Sequence, residues 1–260
     1  GGQTVFGLMA VGVALNPGLI LGYREPLWPH LRSSIPHEKS PTPSLRERWQ
    51  QIQQRYGYFW QAGEMRQWLL VLLLCRMGDG LSAGMVKPMM VDMGYRLNTI
   101  GVMAGVIGSI ASLLGALLGA LLLRRLEAGK ALLGLMLLQS LVTLAYAGLW
   151  AFHARMGKWA DFWVFGINAL EHLLTAMALI PLLTLAMHYT RKGKEGSDYT
   201  FQVCMMASLA GLAHVVSGWM AEALGFSLHF IACTVIGLVM LWPIVVWLPR
   251  WQQGGSTRLT

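Results

Sequence analysis

The chain has 260 residues, of which 55% are hydrophobic and only 12% charged, with a mean hydropathy of +0.51. Soluble domains carry about 25% charged residues, so the composition excludes an ordinary soluble domain and predicts an integral membrane protein. The net charge of +8 does not point to nucleic acid, because the basic residues gather in loops between apolar segments, where membrane topology requires them.

Seven apolar segments, roughly 3–22, 67–87, 99–123, 131–152, 162–188, 201–221 and 228–249, each come near the ~20 residues a spanning helix needs. No period-2 alternation competes with them, so the expected fold is all-α and polytopic. Asn16-Pro17-Gly18 breaks the first segment near its end. No charged stretch precedes that segment and Gly1 is not an initiator Met, so no signal peptide is expected and the chain reads as a fragment or processed product. Residues 24–66 begin as an extended linker holding Pro26, Pro29, Pro36, Pro41 and Pro43. Ser44 then caps an expected amphipathic helix in which Leu45, Trp49, Ile52 and Tyr56 share one face, lying on the membrane surface or on helix ends.

Lys and Arg number fifteen in 24–66, 124–130, 189–199 and the tail, against four in the alternate loops. By the positive-inside rule the linker, the loops after segments three and five and the C-terminus face the cytoplasm.

Arg76 and Asp79 stand in the middle of the second segment, and with Ala83 and Lys87 they fall within about 80° on one helix face. Charges at membrane depth are costly, so this stripe is either a structural Arg–Asp pair or part of a solute path. The third segment carries Gly101, Gly105, Gly108, Ser112, Gly115 and Gly119 at alternating spacings of four and three, a small-residue stripe for close helix approach, with Gly80 and Gly84 as a shorter version. In the fifth segment Asn168, Glu171, His172 and Thr175 share an arc of about 100°. A carboxylate there binds a proton or acts as counter-ion to Arg76; His172 shares that proton or is a hydrogen-bonded core imidazole. The sixth segment places Cys204, Ala207, Gly211, His214 and Gly218 on one face, which puts His214 on a helix–helix contact, with substrate contact the alternative. Gln202 on the other side reads as a helix-end residue.

Cys75, Cys204 and Cys233 have no paired spacing and read as buried, reduced thiols. The seven histidines form no i,i+4 pair within a helix, so no metal site and no cofactor are expected. Walker A, HExxH, GxSxG and CxxC patterns are absent, and an enzyme is not expected.

Seven helices, the first followed by a long basic linker, resemble helices six to twelve of a major facilitator superfamily transporter, in which substrate binds near the midplane between two six-helix halves. Cys75-Arg76-Met77-Gly78-Asp79 resembles the Lys-Leu-Gly-Asp signature in the seventh helix of AmpG-type muropeptide permeases, with Arg76 in place of the usual Lys. The likeness continues through Gly94-Tyr95, Ile100-Gly101 and Gly115 to Arg125, although the loop from Arg124 to Lys130 lacks the Asp of the facilitator motif. Glu171 stands where that group has an acidic residue, and Gly218-Trp219-Met220-Ala221-Glu222 resembles its Gly-Trp-x-x-Glu. Gly196-Ser197-Asp198-Tyr199-Thr200-Phe201-Gln202 resembles the Gly-x-Asp-Tyr-Thr-x-Gln of inner-membrane siderophore importers, the rhizobactin-, pyochelin- and yersiniabactin-associated permeases, and more loosely the acetyl-CoA transporter branch.

The resemblance implies helix six at 1–23, a cytoplasmic linker at 24–66, a six-helix bundle at 67–249 and a cytoplasmic tail at 250–260 of a bacterial inner-membrane protein. It implies proton-coupled import of a siderophore or its metal chelate, with a muropeptide permease or a non-transporting sensor or accessory subunit as alternatives. Substrate contacts would fall to Arg76, Asp79, Lys87, Asn168 and His214, proton coupling to Glu171 and His172, and gating to Asp198, Tyr199 and Gln202. The implied partners are the small-molecule substrate, protons, lipid and an N-terminal half of five more helices.

Overall fold

The computed structural model describes residues 56–57, 59–60 and 63–256, with the side chains of residue 158 and of 250–256 left aside. The expected first span, the linker up to residue 55 with its amphipathic helix from Ser44, and residues 257–260 lie outside the described residues.

Among the described residues the chain is helical and has no strand. Helix α1 (Gly63–Leu74) and helix α2 (Met77–Asp92) are joined by a turn at Cys75–Arg76. Helix α3 (Leu97–Val102) runs through a π-helical turn, Met103–Ile107, into helix α4 (Gly108–Leu122). Helix α5 (Ala128–Met156) connects by the 3₁₀ turn Gly157–Trp159 to helix α6 (Ala160–His188). Helix α7 (Glu195–Val239) is followed, after a turn at 240–241, by helix α8 (Trp242–Ser256). Five stretches among these are long and apolar enough to cross a membrane: Gly63–Asp92, Leu97–Leu122, Ala128–Met156, Ala160–His188 and Glu195–Pro249. The protein is a membrane-embedded helical bundle.

The last stretch, 55 residues, would be about 80 Å long as one straight helix, far more than the ~30 Å of a hydrocarbon core. Gly225 resolves this. Its φ of 73° and ψ of 163° lie where only glycine is comfortable. Ser217 and His229 would stand about 18 Å apart on a straight helix, yet Ser217 Oγ and His229 Nε2 are 3.5 Å apart. The chain folds back at Gly225, and the expected segments 201–221 and 228–249 become two antiparallel arms hinged on one residue. The second of them is interrupted again at 240–241, and the second span at Cys75–Arg76; neither break was expected from hydropathy.

Helix α4 packs on α6, α6 on α5, α5 on α7, and α7 on α2, while α8 meets α1. Small residues make the closest approaches. A Cβ on Gly115 would come within 2.1 Å of the Leu173 carbonyl oxygen, and one on Gly78 within 2.6 Å of Gly237 Cα. The expected Gly stripe is a contact from Gly108 onward only; Gly101 and Gly105 have open space around them. On the same helix Leu113, Leu114, Leu117 and Leu118 are exposed. Small residues inward and leucines outward is the arrangement for a helix whose surroundings are lipid, where close backbone packing rather than water exclusion holds helices together.

One expectation is corrected by burial. Cys204 is exposed, while Cys75 and Cys233 are buried, and all three thiols are free. His214 is solvent-exposed, and its ring borders α2, since a Cβ on Gly84 would come within 3.5 Å of it; Ala207 and Gly211 are exposed on the same face of α7.

Candidate functional site

Two of the polar clusters among the described residues of the bundle are built differently. The first surrounds a cavity of about 260 Å³ lined by Arg76, Asp79, Gly80 and Ala83 of α2 and its leading turn, by Glu171, His172 and Thr175 of α6, and by Met206, Ala207, Ala210 and His214 of α7. Five residues singled out in the sequence, Arg76, Asp79, Glu171, His172 and His214, thus meet around one space.

Arg76 occupies the N-cap position of α2 without a side-chain capping bond, and Asp79 sits in that helix's first turn, where the helix dipole favours a negative charge. The guanidinium donates through one terminal nitrogen to Asp79 Oδ2 at 2.6 Å. Gln139 Nε2 donates to the other oxygen, Asp79 Oδ1, at 2.5 Å. Both Asp79 oxygens are therefore occupied, which makes Asp79 a group that holds Arg76. Among the described residues Arg76 makes this one hydrogen bond, and it lines the cavity with the rest of its planar donor fork uncommitted. The Arg–Asp pair is real, and the solute-facing reading of Arg76 is compatible with it.

Glu171, on α6, lines the same cavity and accepts a hydrogen bond on Oε2 from the Tyr146 hydroxyl. Asn168, one turn earlier, is buried outside the cavity lining; its amide reaches the Tyr146 hydroxyl only at 3.5 Å and its Oδ1 has no partner among the described residues. Thr175, one turn later, accepts from Gln139 Nε2 at 2.6 Å. The His172 ring packs against Gly108 of α4, where a Cβ would come within 2.9 Å of it. His214, which lines the cavity, has Nδ1 2.6 Å from the Ala210 carbonyl oxygen, so Nδ1 carries a proton and, in the neutral imidazole, Nε2 is the acceptor. Lys87 is exposed, two turns beyond Asp79 and outside the lining, though near enough to act electrostatically on Glu171 and His172.

Gln139 and Tyr146 escaped the sequence reading. They lie two turns apart on one face of α5, with Thr143 between them, in the apolar segment from which no residue was chosen. The usable signal was there: an amide and a phenol seven residues apart in a spanning helix need partners, since unpaired polar groups in hydrocarbon are costly.

The second cluster closes the α6–α7 connection. Asp198 is fully buried and takes Arg191 in a fork: Nε to Oδ2 at 2.7 Å and a terminal nitrogen to Oδ1 at 2.7 Å, with the Arg191 backbone N–H also donating to Oδ2 at 3.1 Å. The guanidinium lies 5.7 Å from the Phe59 ring centroid, and Phe59 and Tyr56 pack on Phe201. Gln202, equally buried, donates to the Ala186 carbonyl at 3.0 Å and accepts from Trp68 Nε1 at 2.6 Å. Trp68 stacks on Tyr189, whose hydroxyl accepts from Trp247 Nε1 at 3.1 Å. Asp198 and Gln202 thus tie α1, α6, α7 and α8 together, away from the cavity, and half-buried Tyr199 packs on the adjoining core. Arg191, counted in the sequence only for topology, is the partner that was missed.

At the opposite end Tyr95, in the loop between two spanning stretches, donates its hydroxyl to Asp161 Oδ1 at 2.7 Å, and its ring meets His153 edge-on at 6.0 Å. Loss of hydration, together with the Asp161 carboxylate, raises the Tyr95 phenol above its ordinary range. No group of three or more His, Cys, Asp or Glu among the described residues is placed to hold a metal ion. No protein-family model matches the chain.

Proposed function

We propose that the chain is part of a secondary active transporter of the facilitator class in a bacterial inner membrane, importing a siderophore or its metal chelate with protons by alternating access. The observation that carries this reading is the convergence of Arg76, Glu171, His172 and His214, from three separate stretches, on one cavity. Ionisable groups inside a membrane bundle are costly, and their gathering around a shared space is expected where a solute passes. In this reading the open fork of Arg76, held by Asp79, receives a carboxylate or phenolate of the substrate, and Lys87 adds attraction from nearby. His214 Nε2 accepts from a substrate donor. Glu171 takes the coupling proton, shared with Tyr146 and flanked by His172 and Asn168, and the Asp198–Arg191 pair with Tyr199 and Gln202 holds a gate on the positively charged, cytoplasmic side. A muropeptide permease would use the same cavity with a different solute.

The test is uptake by the full-length protein in proteoliposomes, with ferric siderophore chelates set against anhydro-muropeptides. Substrate accumulation should appear with the chelates under an inward proton gradient. Glu171→Gln should abolish uphill accumulation while counterflow exchange persists; accumulation that survives the substitution removes Glu171 from coupling. Transport of muropeptide alone moves the assignment to the permease, and transport of neither removes both.

A further inference from the structure

We propose that Gln139 is a positioning residue that couples the Arg76–Asp79 pair to the protonation of Glu171. The proposal rests on the transport reading for its purpose, but the coupling is a property of the fold that can be measured without a substrate.

Gln139 is 3% exposed and sits on α5 between the two helices that carry the charged groups. Its amide nitrogen has two hydrogens, and both are used: one on Asp79 of α2, one on Thr175 of α6. Its Oε1 is buried and has no partner among the described residues. An amide arranged in this way is held from the nitrogen side only, with an unmet acceptor that penalises the present state. Thr175 lies one turn from Glu171 on the same face of α6, and Tyr146, which donates to Glu171, lies two turns from Gln139 on the same face of α5. When an anion takes the Arg76 fork, Asp79 shares its cation and draws harder on Gln139 Nε2. That strain falls on the Thr175 bond, and through it on the α5–α6 contact that sets the Tyr146–Glu171 distance. By linkage, protonation of Glu171 must act back on Arg76 and Asp79 to the same extent.

Glu171 is faced by Tyr146 from α5, by Asp79, Arg76 and Lys87 from α2 and its leading turn, and by His214 from α7, with His172 beside it on α6; α4 contributes no titratable group to the cavity lining. Direct electrostatics between Asp79 and Glu171 therefore exists with or without Gln139, and the test must separate the two. A double-substitution cycle does so. The full chain in lipid nanodiscs is titrated by infrared difference spectroscopy, following the carbonyl stretch of protonated Glu171, which is assigned by its loss in Glu171→Gln. Asp79→Asn should move the midpoint of that band by about one pH unit or more. In the Gln139→Leu background the same substitution should move it by less than half as much. An equal shift in both backgrounds means that the interaction is purely through space and overturns the proposal. If Gln139→Leu does not fold, Thr175→Val, which breaks the bridge from its other end, gives the same comparison. Failure of Glu171→Gln to affect uptake would remove the transport role of Glu171 and leave this cycle untouched.

Discussion

The cavity and the α6–α7 latch are both polar clusters in an apolar bundle, yet they differ in how completely their groups are satisfied. In the latch Asp198 receives three donors and Gln202 is bonded through both its oxygen and its nitrogen. Around the cavity Arg76 makes one hydrogen bond, and Gln139 Oε1 and Asn168 Oδ1, buried nearby, have no partner among the described residues. A buried ion pair stabilises only when its remaining hydrogen-bonding capacity is also met, and the latch meets that condition. The cavity does not, as expected of groups kept for something that comes and goes. Satisfaction, more than charge or burial, separates a structural cluster from a candidate site.

The largest expected effect comes from breaking the latch. Asp198→Ala leaves Arg191 facing a buried space with no carboxylate, and unfolding in mixed detergent should show a loss of about 3–5 kcal/mol. Next, Trp68→Phe keeps the ring stack on Tyr189 but strands the Gln202 oxygen, which should cost about 1–3 kcal/mol in the same assay. Arg76→Gln should do the reverse of both. Arg76 makes one bond to Asp79, and Asp79 keeps the Gln139 donor when it is gone, so the loss of stability should be smaller than in Asp198→Ala, where all three bonds to the carboxylate are broken. Affinity for an anionic ferric chelate should fall at least about tenfold, the scale of one lost charge-assisted contact. A destabilisation as large as that of Asp198→Ala, with affinity intact, would make the cavity pair structural and erase the contrast.

The membrane class, the helix positions and most cavity residues were legible because each rests on a local rule: run length, helical period, and the cost of a charge in hydrocarbon. Arg76 and Asp79 are three residues apart, so their pairing follows from spacing. Asp198 and Arg191 are seven apart across a turn, Trp68 and Gln202 are 134 apart, and nothing in a single sequence says that such residues meet. Gln139 was overlooked for the opposite reason: it is one uncharged polar residue in a long apolar run, and charge drew the reading elsewhere. The fold-back of α7 was half legible. Two apolar segments flanked 222–227, but that the chain reverses on Gly225 alone follows from its backbone conformation.

The smallest effect is expected at Tyr95, which extends the comparison to a polar contact at the surface. Its bond to Asp161 is exposed, so Tyr95→Phe should change stability only slightly at neutral pH. The sign of its pH dependence is nevertheless fixed. The phenol titrates higher in the folded protein than the ~10 of an unfolded tyrosine, so its contribution is whole below about pH 10 and is lost as the pH rises toward the folded value. Between pH 7 and 9 the gap between the parent chain and Tyr95→Phe should stay constant, and above about pH 10 it should narrow, because only the parent then has an unfolded state that releases a proton the folded state retains. Unfolding curves at pH 7, 9 and 10.5 check this. A gap that widens with pH would mean that the folded state releases the Tyr95 proton first, and that the Asp161 contact does not hold the phenol.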